Sequence, residues 1–157
     1  MKKNKIIVLS LALLFLVACD DNEYVAPLQF SDVSWYISLP STTDSISAGN
    51  SISFMDVSVG ALSHEWTIEE GNYYLKPVFS ASDTLVNFID HTYGITNTAS
   101  TIHVLFSNPG ISKVRLRNTF SEQVTYNGTN RSLKAVLDTS VQPNVWVIDT
   151  TFVYRVK

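Results

Sequence analysis

The chain has 157 residues, of which 45% are hydrophobic and 16% charged, with 11 Lys and Arg against 14 Asp and Glu and a single Cys. This length fits one domain of ordinary size and excludes an α/β barrel, and the hydrophobic content excludes wholesale disorder. One Cys excludes an internal disulfide framework and a Cys-rich metal site.

Residues 1–18 are predicted to be a cleaved signal peptide. Lys2, Lys3 and Lys5 form a positively charged start, and the stretch from Ile6 to Ala18 is apolar apart from one serine. That stretch is shorter than the about 20 residues that a membrane-spanning helix needs. A basic start followed by a short apolar run is typical of a secretory signal.

The end of this segment, Leu16–Cys19, resembles the lipobox of bacterial lipoproteins. In that family a diacylglycerol group is attached to the Cys thiol, and the chain is cut in front of it. The resemblance implies that Cys19 carries a lipid anchor. Each acyl methylene that enters the bilayer contributes roughly 0.8 kcal/mol to membrane binding.

Residues 19–29 are expected to form an acidic tether. The run Asp20–Glu23 resembles the surface-export signal of Bacteroidota lipoproteins, which implies an outer-membrane protein exposed at the cell surface. In other bacteria an Asp after the lipidated Cys favours retention in the inner membrane. Residues 19–157 carry eight Lys and Arg (eleven minus three) against fourteen Asp and Glu, a net charge of −6, with no basic run. Nucleic acid and anionic lipid headgroups are therefore not expected as partners.

The remainder, residues 30–157, is predicted to form one all-β domain. Apolar alternation at period two predicts strands over residues 33–39, 51–57, 64–69, 83–89, 100–106, 112–118 with a continuation at 122–126, 132–137 and 145–156. The dipeptide Asn127-Gly128 is a hairpin signal. We therefore predict an immunoglobulin-like β-sandwich of seven to eight strands. The last segment is either the final strand or the approach to a further domain.

The same alternation assigns the faces of several strands. Inward-facing positions are expected at Trp66, Ile68, Ile102, Val104, Phe106, Val114 and Leu116. Outward-facing positions are expected at Lys113, Arg115 and Arg117.

Three segments in order, Ala48–Asp56, Glu65–Gly71 and Asn108–Asn118, resemble the polycystic-kidney-disease-type (PKD) domain, an immunoglobulin-like sandwich common on bacterial surfaces. The resemblance covers about residues 30–125, and it implies that Trp66 fills the core between two sheets. PKD-type modules occur in lipoproteins of glycan-uptake systems. The resemblance therefore implies a binding or spacer role, and it does not imply catalysis, because a fold does not fix a function.

Residues with catalytic or metal-binding potential form no recognised pattern. The three histidines lie in separate segments, at His64, His91 and His103. Three carboxylates cluster near the Trp66 strand, at Glu65, Glu69 and Glu70, but the first and second are expected on the solvent face. We expect no catalytic residue, no metal and no cofactor. Calcium bound by acidic turns is the open alternative.

Aromatic rings are the remaining lead to a ligand, because the CH groups of a sugar can lie on a flat ring. Tyr73, Tyr74 and Tyr93 lie in the long stretch between residues 72 and 100, and Trp146 begins the last strand. These four are predicted to form a glycan-binding platform. At most one of Tyr73 and Tyr74 belongs in the core, because neighbours in a strand point to opposite faces.

The sequence thus predicts a non-catalytic surface lipoprotein that binds glycan or mediates adhesion in a polysaccharide-uptake system. The expected partners are the membrane, through the lipid anchor, a polysaccharide, and outer-membrane glycan-uptake proteins. A structural spacer of a larger surface assembly is the alternative, and a small glycan hydrolase ranks third.

Overall fold

A computed structural model describes residues 31–39, 45–80, 83–128 and 131–157. These residues are mostly β-strand, with one 3-10 turn at Leu85–Phe88 and no α-helix among them. A helix with the length and apolar character for crossing a membrane is likewise absent from this described part. The predicted signal peptide, Cys19 and the tether lie outside the described residues.

The smaller of two facing sheets has four antiparallel strands. They are β1 (Trp35–Ile37), β3 (Ser51–Asp56), β5 (Tyr73–Tyr74) and β7 (Thr101–Leu105). They lie side by side in the order β1-β3-β7-β5.

The larger sheet has six strands. They are β2 (Ser45–Ile46), β4 (Ala61–Ile68), β6 (Thr96–Asn97), β8 (Gly110–Phe120), β11 (Val136–Asp138) and β12 (Val145–Val156). Their order is β11-β12-β8-β4-β6, and β2 adds to the end of β12 in the parallel direction. The two long strands pair antiparallel, from Trp146 opposite Phe120 to Val156 opposite Gly110.

A separate hairpin joins β9 (Thr125–Asn127) to β10 (Ser132–Lys134). Asn127 lies opposite Ser132, which confirms the hairpin predicted from Asn127-Gly128. A hydrophobic cluster lies beneath this hairpin, formed by Val33, Phe120, Val124, Ala135 and Ile148. The cluster holds the hairpin against the sandwich and thereby places β10 near the start of β12.

The main core lies between the two sheets, where each strand buries every second side chain. Trp66 is fully buried, and the centroid of its ring lies 5.7 Å from that of Phe54 on the opposite sheet. Trp66 therefore fills the core, as predicted. The other positions predicted to face inward are also buried, at Ile68, Ile102, Val104, Phe106, Val114 and Leu116. Each such side chain contributes roughly 1.5–3 kcal/mol to folding.

A buried carboxylate ties the two sheets together near the end of β3. Asp56 accepts hydrogen bonds from the backbone N–H of Ser58 (3.1 Å), the Ser58 hydroxyl (2.6 Å) and the side-chain amide of Asn118 on β8 (3.1 Å). Asp56 and Asn118 are both buried. A buried carboxylate is tolerated only with such partners, so these bonds fix the two sheets to each other.

The structure confirms the predicted all-β fold, with antiparallel sheets packed as a sandwich, consistent with an immunoglobulin-like architecture. The strand count is corrected: the described residues form twelve strands instead of seven to eight, because several pairings are only two or three residues long. The predicted strand at 83–89 is wrong, because this segment contains the 3-10 turn and a single bridge from Ile89 to Leu75. The predicted strand at 132–137 divides at Ala135, whose N–H donates to the Val124 carbonyl at 2.9 Å.

Candidate functional site

Tyr73 and Tyr74 lie next to each other on β5 and point to opposite faces of the smaller sheet. Tyr73 is 41% exposed, whereas Tyr74 is only 2% exposed. The Tyr74 hydroxyl lies 3.0 Å from the carbonyl oxygen of Trp66 and 3.2 Å from that of Ile95. Burial raises the pKa of Tyr74 above its ordinary value. Tyr74 is a core residue, so the prediction that it belongs to an exposed platform is wrong.

Tyr93 lies in the connection between the 3-10 turn and β6. Its ring packs edge-on against Tyr74, with ring centroids 6.0 Å apart, and it remains 41% exposed. Tyr93 therefore contacts the inward-facing member of the Tyr73–Tyr74 pair, while Tyr73 points away from the core. The two exposed tyrosines do not share one face.

Trp146 lies in another part of the molecule. It is half-buried against the cluster beneath the β9–β10 hairpin and pairs with Phe120 at the end of β8. Asn72, next to Tyr73, donates its side-chain amide to the Ser112 hydroxyl near the start of β8, at 2.8 Å. Ser112 and Phe120 are eight residues apart, or about 26 Å along an extended strand. The four predicted aromatics therefore do not form one platform.

A groove lies on the outer face of the larger sheet, where the chain passes from β10 to β11 beside the start of β12. We call it the β11–β12 groove. Its volume is about 630 Å³, and its lining residues are Arg117, Leu133, Lys134, Val136, Leu137, Asp138, Thr139, Ser140, Val147, Ile148 and Asp149. The break at Ala135 creates it, because there the chain leaves the β9–β10 hairpin to join the edge of β12.

Two Arg–Asp pairs lie in and beside this groove. Arg115 bonds both carboxylate oxygens of Asp149, with its Nε 2.8 Å from Oδ1. Arg117 lies 3.3 Å from Asp138, which also accepts the Ser140 hydroxyl at 2.6 Å and its N–H at 2.9 Å. The bonds from Ser140, followed by the charge of Arg117, hold the pKa of Asp138 below its ordinary value. The bonds from Arg115 do the same to the pKa of Asp149. Both carboxylates are fixed, ionised acceptors at neutral pH.

Sequence reasoning missed this groove, although it assigned one of its components. The outward orientation of Arg115 and Arg117 on β8 follows from alternation and is confirmed by their exposure relative to buried neighbours. Their acidic partners come from β11 and β12, and no fixed spacing in the sequence links those strands to β8. Only the register, which places Asp149 opposite Arg117, brings them together.

The histidines do not form a common site. His64 on β4 has its Nδ1 3.6 Å from the Asp56 carboxylate, and His91 lies in an exposed turn. The Nδ1 of His103 is 2.7 Å from the Ser53 hydroxyl, and burial lowers the pKa of His103. Among the described residues, no carboxylate accepts a hydrogen bond from the His103 ring, as a catalytic triad would require.

The glutamates near the Trp66 strand also form no reaction centre. Glu65, Glu69 and Glu70 are exposed, as the alternation predicts for the first two. Glu69 accepts a hydrogen bond from the backbone N–H of Lys113 on β8 at 3.0 Å, so its carboxylate is engaged by a neighbouring strand. Across the described ranges, no three His, Cys, Asp or Glu side chains are grouped to hold a metal ion.

Comparisons with known proteins return no counterpart for this chain. No protein-family model, no curated protein and no solved structure matches it. The groove and its chemistry are therefore the basis for assigning a function.

Proposed function

We propose that this protein is a lipid-anchored, non-catalytic module of the bacterial cell surface that binds glycan in the β11–β12 groove. The observation that carries the proposal is the groove itself, in which fixed charged groups stand beside apolar side chains. Its volume of about 630 Å³ falls within the roughly 300–1,000 Å³ typical of small-ligand pockets.

The composition of the groove suits a sugar. A sugar offers hydroxyl groups, which both donate and accept hydrogen bonds, and CH faces, which are apolar. Asp138 and Asp149 supply acceptors, and Arg117 supplies donors. Val136 and Leu137 are 70% and 42% exposed and give the CH faces an apolar surface. Donors, acceptors and apolar contacts are thus available within one site.

The acceptors are also held in place before a ligand arrives. Asp138 is bonded twice by Ser140 and contacted by Arg117, and Asp149 is bonded twice by Arg115. Side chains that are already ordered lose less conformational entropy when they bind. This preorganisation favours recognition of a polar ligand over a role for these residues as mobile surface charges.

The anchor and location in the proposal come from the sequence. The lipobox-like Leu16–Cys19 supports lipidation of Cys19, and Asp20–Glu23 supports export to the cell surface. The PKD-like segments support a binding or spacer module, and in a glycan-uptake system the partners are a polysaccharide and outer-membrane uptake proteins. In this proposal the tether holds the sandwich, and with it the groove, outside the membrane.

The test is affinity electrophoresis of the full chain, purified in detergent, through gels that contain a panel of polysaccharides. The critical variant is Asp138→Ala. Asp90→Ala is its matched control, because Asp90 accepts the Thr92 N–H at 3.0 Å in the same kind of turn but lies outside the groove. We expect retardation by at least one polysaccharide, retained in Asp90→Ala and lost in Asp138→Ala. No retardation in any gel contradicts the proposal and favours a spacer role.

A further inference from the structure

Most cations of residues 19–157 lie in the C-terminal third of the sequence. Residues 113–157 contain seven of the eight Lys and Arg of residues 19–157, but only three of the fourteen Asp and Glu. Their net charge is +4, against −10 for residues 19–112, which hold one Lys and eleven Asp and Glu. Of these seven cations, Arg117 and Lys134 line the β11–β12 groove, and Arg115 lies beside it, paired with Asp149.

Within the groove, one cation is left over after the ion pairs are counted. Asp149 is paired with Arg115, and Asp138 is paired with Arg117. Lys134 also lines the groove and is exposed, and its ammonium group has no carboxylate within ion-pair distance among the described residues. The groove and its paired arginines therefore carry one uncompensated positive charge.

Arg117 adds further donors to the same groove. Its guanidinium has five N–H donors, and its contact with Asp138 is a single one, through Nη2 at 3.3 Å. A planar guanidinium is well suited to bind a carboxylate through two parallel hydrogen bonds. Lys134 and Arg117 together thus offer a negatively charged group both net charge and directed donors.

We infer that the β11–β12 groove binds an acidic glycan, in which the carboxylate of a uronic acid residue pairs with Lys134 and Arg117. This inference rests on the proposed function and names its ligand class. The hydroxyl groups of the same sugar bind the fixed oxygens of Asp138 and Asp149. The paired carboxylates limit the excess charge, so that recognition depends on both the acid and the hydroxyl groups of the sugar.

The experiment measures binding of the full chain in detergent to polygalacturonate, alginate and hyaluronan by titration calorimetry. Methyl-esterified polygalacturonate is the matched neutral ligand, because it keeps the sugar backbone and removes the charge. Double-stranded DNA is the matched polyanion without sugar acids. The variants are Lys134→Gln and the control Lys76→Gln, since Lys76 is exposed, carries the same charge and does not line the groove.

We expect one uronate polymer to bind at least about tenfold more tightly than the methyl ester and DNA, as expected for a charged hydrogen-bonded contact. We expect Lys134→Gln to remove that preference and Lys76→Gln to retain it. Equal affinity for the acid and its ester overturns the inference but leaves glycan binding in place. Equal affinity for DNA and the uronates overturns it in favour of general polyanion binding. Failure of all glycans contradicts the proposed function as well.

Discussion

The neighbouring tyrosines Tyr73 and Tyr74 provide a direct test of the packing, because one chemical change can be made at either position. Tyr→Phe removes a hydroxyl and leaves the ring. The Tyr74 hydroxyl lies 3.0 Å from the carbonyl oxygen of Trp66 and 3.2 Å from that of Ile95, and Tyr74 is only 2% exposed. At Tyr73 the side chain is 41% exposed on the outer face of the smaller sheet.

The expected cost at Tyr74 follows from this geometry. The single hydroxyl proton is shared between two carbonyl groups that join β5 to the β4–β6 edge of the larger sheet. Removing this buried donor loses its hydrogen bond and leaves a buried carbonyl oxygen without that partner, which lowers the free energy of unfolding by roughly 1–2 kcal/mol. For a domain of this size the melting temperature falls by roughly 3–8 °C. For Tyr73→Phe the change stays within about 0.5 kcal/mol, as for other exposed positions.

Urea unfolding of the full chain, followed by tryptophan fluorescence, measures both variants against the parent protein. The two substitutions remove the same atoms, so differences in side-chain chemistry cancel. If Tyr73→Phe costs as much as Tyr74→Phe, or if Tyr74→Phe costs nothing, the assignment of Tyr74 to the core is refuted.

Three further predictions concern the stability of the sandwich. Burial raises the pKa of Tyr74 and Tyr154 above the ordinary tyrosine value of about 10, so the folded state holds these protons more tightly than the unfolded state. The free energy of unfolding is therefore constant below about pH 10 and falls as the pH rises further, which urea midpoints measured between pH 8 and 12 will show. Asp56→Ala removes a buried carboxylate that accepts three hydrogen bonds and leaves the Ser58 N–H without its acceptor, and equilibrium unfolding should give a loss of about 2–4 kcal/mol. Gly71→Ala puts a residue with a side chain at a backbone φ of +86°, and calorimetry should show a loss of about 1–2 kcal/mol in stability. Gly94→Ala is the control, because Gly94 has open space around it and no positive φ, and it should cost less than half as much.

The main core could be predicted from the sequence because burial in a sheet leaves a periodic signal. Val114 and Leu116 alternate with Arg115 and Arg117 along β8, and their burial follows that alternation. The Trp66 strand behaves in the same way. Long strands with one buried face are therefore readable without knowledge of their partners.

Short pairings and packed loops left no such signal. Residues 83–89 are rich in apolar side chains, yet Phe88 packs against Phe79, with ring centroids 6.3 Å apart, and the backbone forms a 3-10 turn instead of a strand. Apolar residues in a loop that covers a sheet need burial as much as those in a strand. Hydrophobicity alone therefore could not distinguish these two cases.

The candidate site was out of reach for a different reason. Arg117, Lys134, Asp138 and Asp149 belong to four different strands, and their proximity depends on strand order and register. The sequence pointed to an aromatic platform instead, but Tyr74 is buried and Trp146 lies far from Tyr73, so these residues do not form one surface. Ion pairs between residues on different strands could be identified only from the structure.

Hydrogen exchange of the full chain, with and without a saturating uronate polymer that binds, shows where the ligand lies on the protein. We expect the ligand to occupy the β11–β12 groove. We predict slower amide exchange in residues 133–140 and 145–149, which line or flank the groove, with no change around Tyr73 and Tyr93. Protection around Tyr73 and Tyr93, with residues 133–149 unchanged, would contradict it and return the binding site to the exposed tyrosines.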